Sequence, residues 1–371
     1  MVDSKWHPAQ PLASQRGSRR GSTPGGVKRI DLAGPGGDRP RLLYLVMRDD
    51  YGVPGRGPSH EWCNIVPALE GFGFETRHFD YARALIEHGY WGSQSRLRDL
   101  VVSWRPHVLF IFMYQEQVDR ELIRWVSEST PTVTVGWFAD DHWRFDGYSR
   151  FWAKALNWVL TTDVSAVEKY KAIGQPNVLL SQWAANESDY RPTGTGLHYD
   201  VTFVGQPHGR RLELVEYLRG KGIDIQTWGP GWPNGRVTQA QLVEVFSSSR
   251  INLNMAGSSV GFSSLLRRGA GQIKGRVFEV PACGGLLLTD PAPDLDRYFH
   301  IGEEIAVYRD RRDLVRQVRY LLEHEDERAR IARAGYERTI RDHTWRRRFS
   351  DVFASIGMPA EPQAKVSTRE C

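Results

Sequence analysis

From Arg41 onward, short apolar runs alternate with stretches of helical periodicity. Leu42–Met47, Phe74–Phe79, His107–Met113, Thr132–Phe138, Asn157–Thr161 and Asn177–Ser181 have the length and the β-branched and aromatic content of buried strands. Helices are predicted between them, near Ser59–Phe72 and over Ser93–Trp104, Val118–Ser129 and Ser165–Ile173. Strands that alternate with helices of this length imply right-handed βαβ units and a parallel sheet. Pro192, Gly194 and Gly196 interrupt the pattern, so residues 186–199 read as a linker. The alternation then restarts. Strands are expected at Asp200–Val204, Ile223–Trp228, Arg250–Met255 and Leu286–Thr289, and helices at Gly209–Lys221, Gln239–Phe246 and Lys274–Ala282. Three further helices follow, at Arg312–His324, Asp326–Asp342 and Trp345–Ile356.

The expected organisation is a flexible basic tail (1–38), a first Rossmann-like domain (39–185), the linker, a second such domain (200–343), a helix over 344–357 that crosses back to the first domain, and a flexible tail (358–371). With 371 residues the chain has room for two domain cores. Its formal charge of +5 changes the picture less than it first suggests. Residues 1–38 supply +3 of it, with Arg16, Arg19 and Arg20 clustered, and leave +2 for the rest. A general nucleic-acid-binding surface is therefore not expected. No apolar run approaches the ~20 residues of a membrane span. Cys63, Cys283 and Cys371 are far apart and form no CxxC pair, which argues against a disulfide framework and a cysteine zinc site and for the cytoplasm. Nine of the 13 Trp fall between Trp62 and Trp183, where they either fill a core or line a cleft that stacks on a flat or sugar-like ligand.

Ligands of open parallel sheets bind beyond the carboxyl ends of the strands, so those ends carry the candidate chemistry. Gly205 ends a strand and Arg210 and Arg211 open the next helix. Arginines in a first turn oppose the helix dipole, so they mark either an anion site or an ordinary surface pair. In Lys274–Gly285, Lys274 and Arg276 could neutralise a diphosphate and Glu279 could take two ribose hydroxyls. Gly284 and Gly285 would permit close backbone approach. Asp140 and Asp141 follow a strand directly; they suit an acceptor-side base, a metal, or a helix cap. His60 opens a helix after the glycine-rich loop Gly52–Pro58, as an acid/base group, an acceptor contact or a structural residue. That loop is no dinucleotide fingerprint, and no nucleophile elbow, Walker A loop or His-Glu-x-x-His pair occurs.

The stretch Lys274–Asp290, with Asp296–Phe299, Ile305–Tyr308, His324–Arg328 and His343–Phe349, resembles the carboxyl domain of the CgeB-like, spore-maturation-type glycosyltransferases. Asp200–Gly205, Arg210, Arg211 and Gly229–Trp232 fit the upstream half of that domain, and Trp137–Trp143 fits the amino-terminal domain more loosely. The resemblance implies a GT-B fold, in which two Rossmann-like domains face each other across a cleft. It further implies a nucleoside-diphosphate-sugar donor on the second domain, an acceptor (small molecule, glycan or peptide) on the first, and no metal requirement. On this basis Gly205, Arg210, Arg211, Lys274, Arg276, Glu279, Gly284 and Gly285 are the donor-binding candidates, and Asp141, Asp140 and His60 the catalytic ones. Glu279 matches the second acid of a Glu-x7-Glu pair, whereas Gly271 replaces the first, which leaves retention or inversion open. A nucleotide-sugar epimerase or hydrolase on the same fold, or a non-catalytic nucleotide-sugar-binding protein, are the alternatives.

Overall fold

The computed structural model describes residues 28, 30, 39–256 and 272–358. The tails, apart from Lys28 and Ile30, and Gly271 lie outside the described residues. The first half contains β1 (Arg41–Leu45), α1 (Val66–Glu70), β2 (Glu75–Phe79), α2 (Tyr81–Trp104), β3 (Val108–Phe112), α3 (Arg120–Ser129), β4 (Val133–Phe138), α4 (Asp141–Arg144), α5 (Arg150–Ala153), β5 (Trp158–Thr161), α6 (Val164–Ala172) and β6 (Val178–Leu180). The second contains β7 (Tyr199–Val204), α7 (Arg211–Arg219), β8 (Ile225–Trp228), α8 (Gln239–Ser247), β9 (Ser249–Asn254), α9 (Arg276–Ala282), β10 (Leu287–Thr289), β11 (Ala306–Val307), α10 (Arg311–Glu323), α11 (Glu325–Asp342) and α12 (Trp345–Ser355).

The strands form two sheets, ordered β2-β1-β3-β4-β5-β6 and β11-β10-β9-β7-β8, and every pairing is parallel. The fold is α/β with two doubly wound sheets. β3 and β4 are buried at every position because helices cover both faces, which is why they read as unbroken apolar runs. Strand order reverses between β1 and β3 and again between β7 and β9, and crevices open at such switch points.

Each face of each sheet has its own apolar cluster. One cluster of the first sheet is completed from the other end of the chain: Trp345, Phe349, Val352 and Phe353 of α12 pack with β1, β3, β4 and α1. Trp345 meets Trp137 at 5.7 Å and Phe353 meets Phe72 at 5.0 Å between ring centroids. The chain crosses between the sheets twice at one place, where Ala185 bridges Thr344. The tryptophan cluster divides: Trp104, Trp137, Trp152 and Trp158 are buried core, Trp91 and Trp143 are exposed, and Trp183 reaches the cleft between the sheets.

Three local readings change. α2 starts at Tyr81 rather than at residue 93, because Asp80 caps it through the amides of Ala82 and Arg83 and the helix continues across a kink at Gly89. The loop after β4 folds into the short helices α4 and α5. β11 is an added two-residue strand at the sheet edge. Cys63 is disulfide-bonded, so a crosslink stands where the cysteine spacing had argued against disulfides. Cys283 is free and buried.

Candidate functional site

A cleft of about 690 Å³ lies between the carboxyl ends of the two sheets. Its lining includes six of the sequence candidates: His60, Gly205, Arg211, Lys274, Arg276 and Glu279. They come from both sides of the chain. His60 precedes the π-helical turn Glu61–Ile65 leading into α1, and the others follow β7 or open α9.

Glu279 is the centre of this group. It is fully buried, and its Oε2 accepts a hydrogen bond from Arg276 Nη1 one helical turn away. Its Oε1 has no hydrogen-bond partner and stands 3.5 Å from His60 Nδ1 across the cleft. A buried carboxylate oxygen without a donor costs on the order of 1–3 kcal/mol, so its persistence at a cleft wall suits an incoming hydroxyl. Gly275 makes room for it: a Cβ there would stand 2.7 Å from Oε1. Burial acts to lower the Arg276 pKa, but the Glu279 carboxylate holds it above the ordinary value. Burial holds Lys274 below its usual range, which leaves a desolvated cation at the cleft edge. Its ammonium donates to Gln272 Oε1, while Gln272 Nε2 donates to the Ala139 carbonyl and to Asp140 Oδ1 on the first domain.

Arg211 reaches the cleft but is largely engaged. Its Nε and Nη2 donate to the Met255 carbonyl at 3.0 and 2.8 Å, and its Nη1 donates to the Gln206 carbonyl at 2.9 Å. The guanidinium thereby ties the loops after β7 and β9 across the switch point. The same loop is crowded. A Cβ on Gly205 would stand 2.8 Å from the Phe203 ring, and one on Gly229 would stand 2.4 Å from the Gly205 carbonyl oxygen.

The other candidates fall elsewhere. Arg210 is exposed, pairs with Glu213 at 3.5 Å and lines a separate cavity of about 380 Å³ with Asp290 and Tyr308. Gly284 and Gly285 lie behind α9; a Cβ on Gly285 would meet Asn252 and the Phe246 carbonyl at 2.5 Å, so these glycines fit the turn into β10 rather than the cleft. Asp140 sits at the interdomain contact through Gln272 rather than on the cleft wall. Asp141 turns inward. It is fully buried, takes the Tyr170 hydroxyl at 2.8 Å on Oδ2, and burial pushes its carboxyl up to about 6 against the Ser149, Thr161 and Tyr170 hydroxyls. A residue in that position cannot meet an acceptor.

Sequence reasoning missed several cleft residues. Arg236 donates across the cleft to Asp50 Oδ2 at 2.9 Å and to the Arg56 carbonyl at 3.0 Å. Gln239 donates to Asn64 Oδ1. Trp183 stands edge-on to His60 at 5.2 Å, and Tyr51 enters from the loop after β1. The loop's glycines marked the place, but nothing in their spacing singled out Tyr51 or Arg236. Among the described residues no group of three or more His, Cys, Asp or Glu is placed to hold a metal ion, and no helix is long and apolar enough to cross a membrane.

Known proteins resemble the chain at the level of sequence and of fold. The family model described as "Glycosyl transferase-like" matches residues 210–354. Spore protein CgeB of Bacillus subtilis (strain 168) is 22% identical over 252 residues, which cover 62% of this chain and 77% of the relative. A glycosyltransferase from Rickettsia africae ESF-5 superimposes with a TM-score of 0.60 at 10% identity, over 86% of this chain and 98% of that one. Anabaena Alr3699/HepE, solved in complex with UDP and glucose, gives 0.59 at 12% identity, over 85% and 99%.

Proposed function

We propose that the chain is a glycosyltransferase similar to CgeB on the GT-B fold, whose cleft binds a nucleoside-diphosphate sugar and transfers the sugar to an acceptor without a metal ion. Residues 200–343 carry the donor and 39–185 the acceptor. The observation that carries the reading is Glu279: a buried carboxylate at the cleft wall, held on one oxygen by Arg276 and without a hydrogen-bond partner on the other. Two vicinal ribose hydroxyls are its natural complement. The UDP complex of Anabaena Alr3699/HepE makes UDP the first diphosphate to try.

In the transfer, the bond between the anomeric carbon and the diphosphate oxygen breaks, and an acceptor hydroxyl oxygen bonds to that carbon. Negative charge grows on the leaving diphosphate. Lys274 and Arg276 stand ready to meet it, partly desolvated and already oriented, which is the condition under which charge stabilisation is strongest. The acceptor loses its proton in the same process. His60 lines the cleft, and this makes it the first choice of base, ahead of Asp140.

The test is thermal denaturation of the full chain with UDP, GDP, dTDP, ADP and CDP in the presence of EDTA. A ligand of the native state at a hundred times its Kd adds about 2.7 kcal/mol of stability. One diphosphate should raise the Tm of the wild type and fail to raise that of Glu279→Gln. If none raises the wild-type Tm, or the variant responds equally, the donor assignment is wrong.

A further inference from the structure

Two strand-end loops meet at the switch point of the first sheet, one after β1 and one after β3. Tyr51 comes from the first and Tyr114 from the second, with ring centroids 5.7 Å apart at 60°. Tyr51 lines the cleft and is 54% exposed, which leaves much of its ring free to meet a ligand. Its backbone is left-handed, at φ 55° and ψ 23°, a conformation that glycine adopts far more readily than tyrosine.

The loop is not slack. Asp49 bridges Pro58, the Asp50 amide donates to the Gly57 carbonyl at 2.9 Å, and the Ser59 amide donates to the Arg48 carbonyl at 2.8 Å. From the opposite domain, Arg236 fastens Asp50 and Arg56. The strained residue is therefore held in place by firm contacts and projects its ring into the cleft.

Resting on the glycosyltransferase reading above, we propose that Tyr51, backed by Tyr114, is the platform on which a sugar ring of the acceptor stacks, so that the acceptor is a carbohydrate. Aromatic faces bind the C–H-bearing face of a pyranose, and a carboxylate beside them accepts hydrogen bonds from its hydroxyls. Asp50, which lines the cleft next to Tyr51, supplies that carboxylate. Burial first, and then the charges of Asp50, Glu61 and Asp140 with the Tyr114 phenol, hold the Tyr51 phenol above its usual range. Tyr51 on the first domain faces Lys274 and Arg276 on the second, which divides the cleft into a carbohydrate-binding wall and an anion-binding wall.

The experiment is saturation-transfer NMR on the full chain, with and without UDP. The probes are maltotriose, cellotriose, N,N′,N″-triacetylchitotriose and chitosan trimer, with glucose 6-phosphate as the anionic control. At least one trisaccharide should bind the wild type, bind Tyr51→Phe within about threefold, and bind Tyr51→Gly at least tenfold more weakly. Tyr51→Gly should also melt at a higher temperature than the wild type, because glycine relieves the left-handed backbone. A gain in stability with a loss of sugar binding is not what removal of a packing residue produces. Equal saccharide binding by wild type and Tyr51→Gly, no trisaccharide binding, or binding of glucose 6-phosphate alone overturns the proposal. The UDP-induced rise in Tm should be the same in both proteins. If UDP and the other diphosphates fail to shift the wild type, the donor reading is what has failed, and the saccharide result is judged on its own arms.

Discussion

Glu279 and Asp141 are both fully buried carboxylates near the strand ends of their sheets, yet they sit in opposite electrostatic settings. Glu279 has a guanidinium one helical turn away and ends at an open cleft. Asp141 has hydroxyls for neighbours, is enclosed by the core of the first sheet near Tyr170 and Phe145, and is pushed up to about 6. Glu279 pairs one oxygen with a guanidinium and turns the other to the cleft wall. Asp141 spends its carboxylate on hydroxyls inside the core. Burial by itself therefore does not identify a functional acid; the partner and the open side do.

Changing each residue in turn separates the two cases. The largest expected effect is on stability, in Asp141→Asn. The folded-state pKa of Asp141 lies above the unfolded value of 3.8, so the native state holds the proton more tightly between about pH 4 and 6. Wild-type stability contributed by this group is thus intact below pH 4, falls as pH rises through 6, and reaches a cost of up to about 3 kcal/mol above that. The amide of the variant has no such titration. Urea melts of the variant should show a gain of that order at pH 7.5 and almost none at pH 4, with diphosphate binding unchanged. Next, Glu279→Gln should weaken diphosphate binding roughly 100-fold, about 2.7 kcal/mol, measured calorimetrically. Gly275→Ala should lose about tenfold in the same titration, since its Cβ would crowd the Glu279 oxygen, whereas Gly147→Ala, with nothing within 4 Å, should bind normally. Smallest of all is Arg210→Ala. An exposed ion pair of this kind contributes ~0.2–1 kcal/mol, and the side chain lies off the cleft, so both Tm and donor affinity should stay near wild type. A tenfold loss there would place the diphosphate in the second cavity instead.

Most of the strand pattern could be read from the chain because buried parallel strands are nearly all apolar, as in Val108–Phe112. The pairing of Arg276 with Glu279 was legible because residues three apart share one helix face, and Lys274 stood out as a cation just ahead of that helix. The start of α2 was not legible, because Gly89 and Gly92 signal a break, and the helix passes the first of them as a kink. Nor could the direction of Asp141 be read. Which way a first-turn acid points depends on a tyrosine hydroxyl 29 positions later. Tyr51 was hidden for a third reason: a left-handed tyrosine beside a glycine looks in sequence like an ordinary loop position.

The docking of α12 against the first sheet has a consequence for how the protein is made. Trp345, Phe349, Val352 and Phe353 complete a hydrophobic face whose strands were synthesised some 200–300 residues earlier. At ~5–20 residues per second, a ribosome delivers that helix on the order of tens of seconds after β1. Until then the first domain exposes an unfinished apolar face, a natural substrate for chaperones. The amino-terminal half is therefore expected to reach its native packing last, although it is translated first.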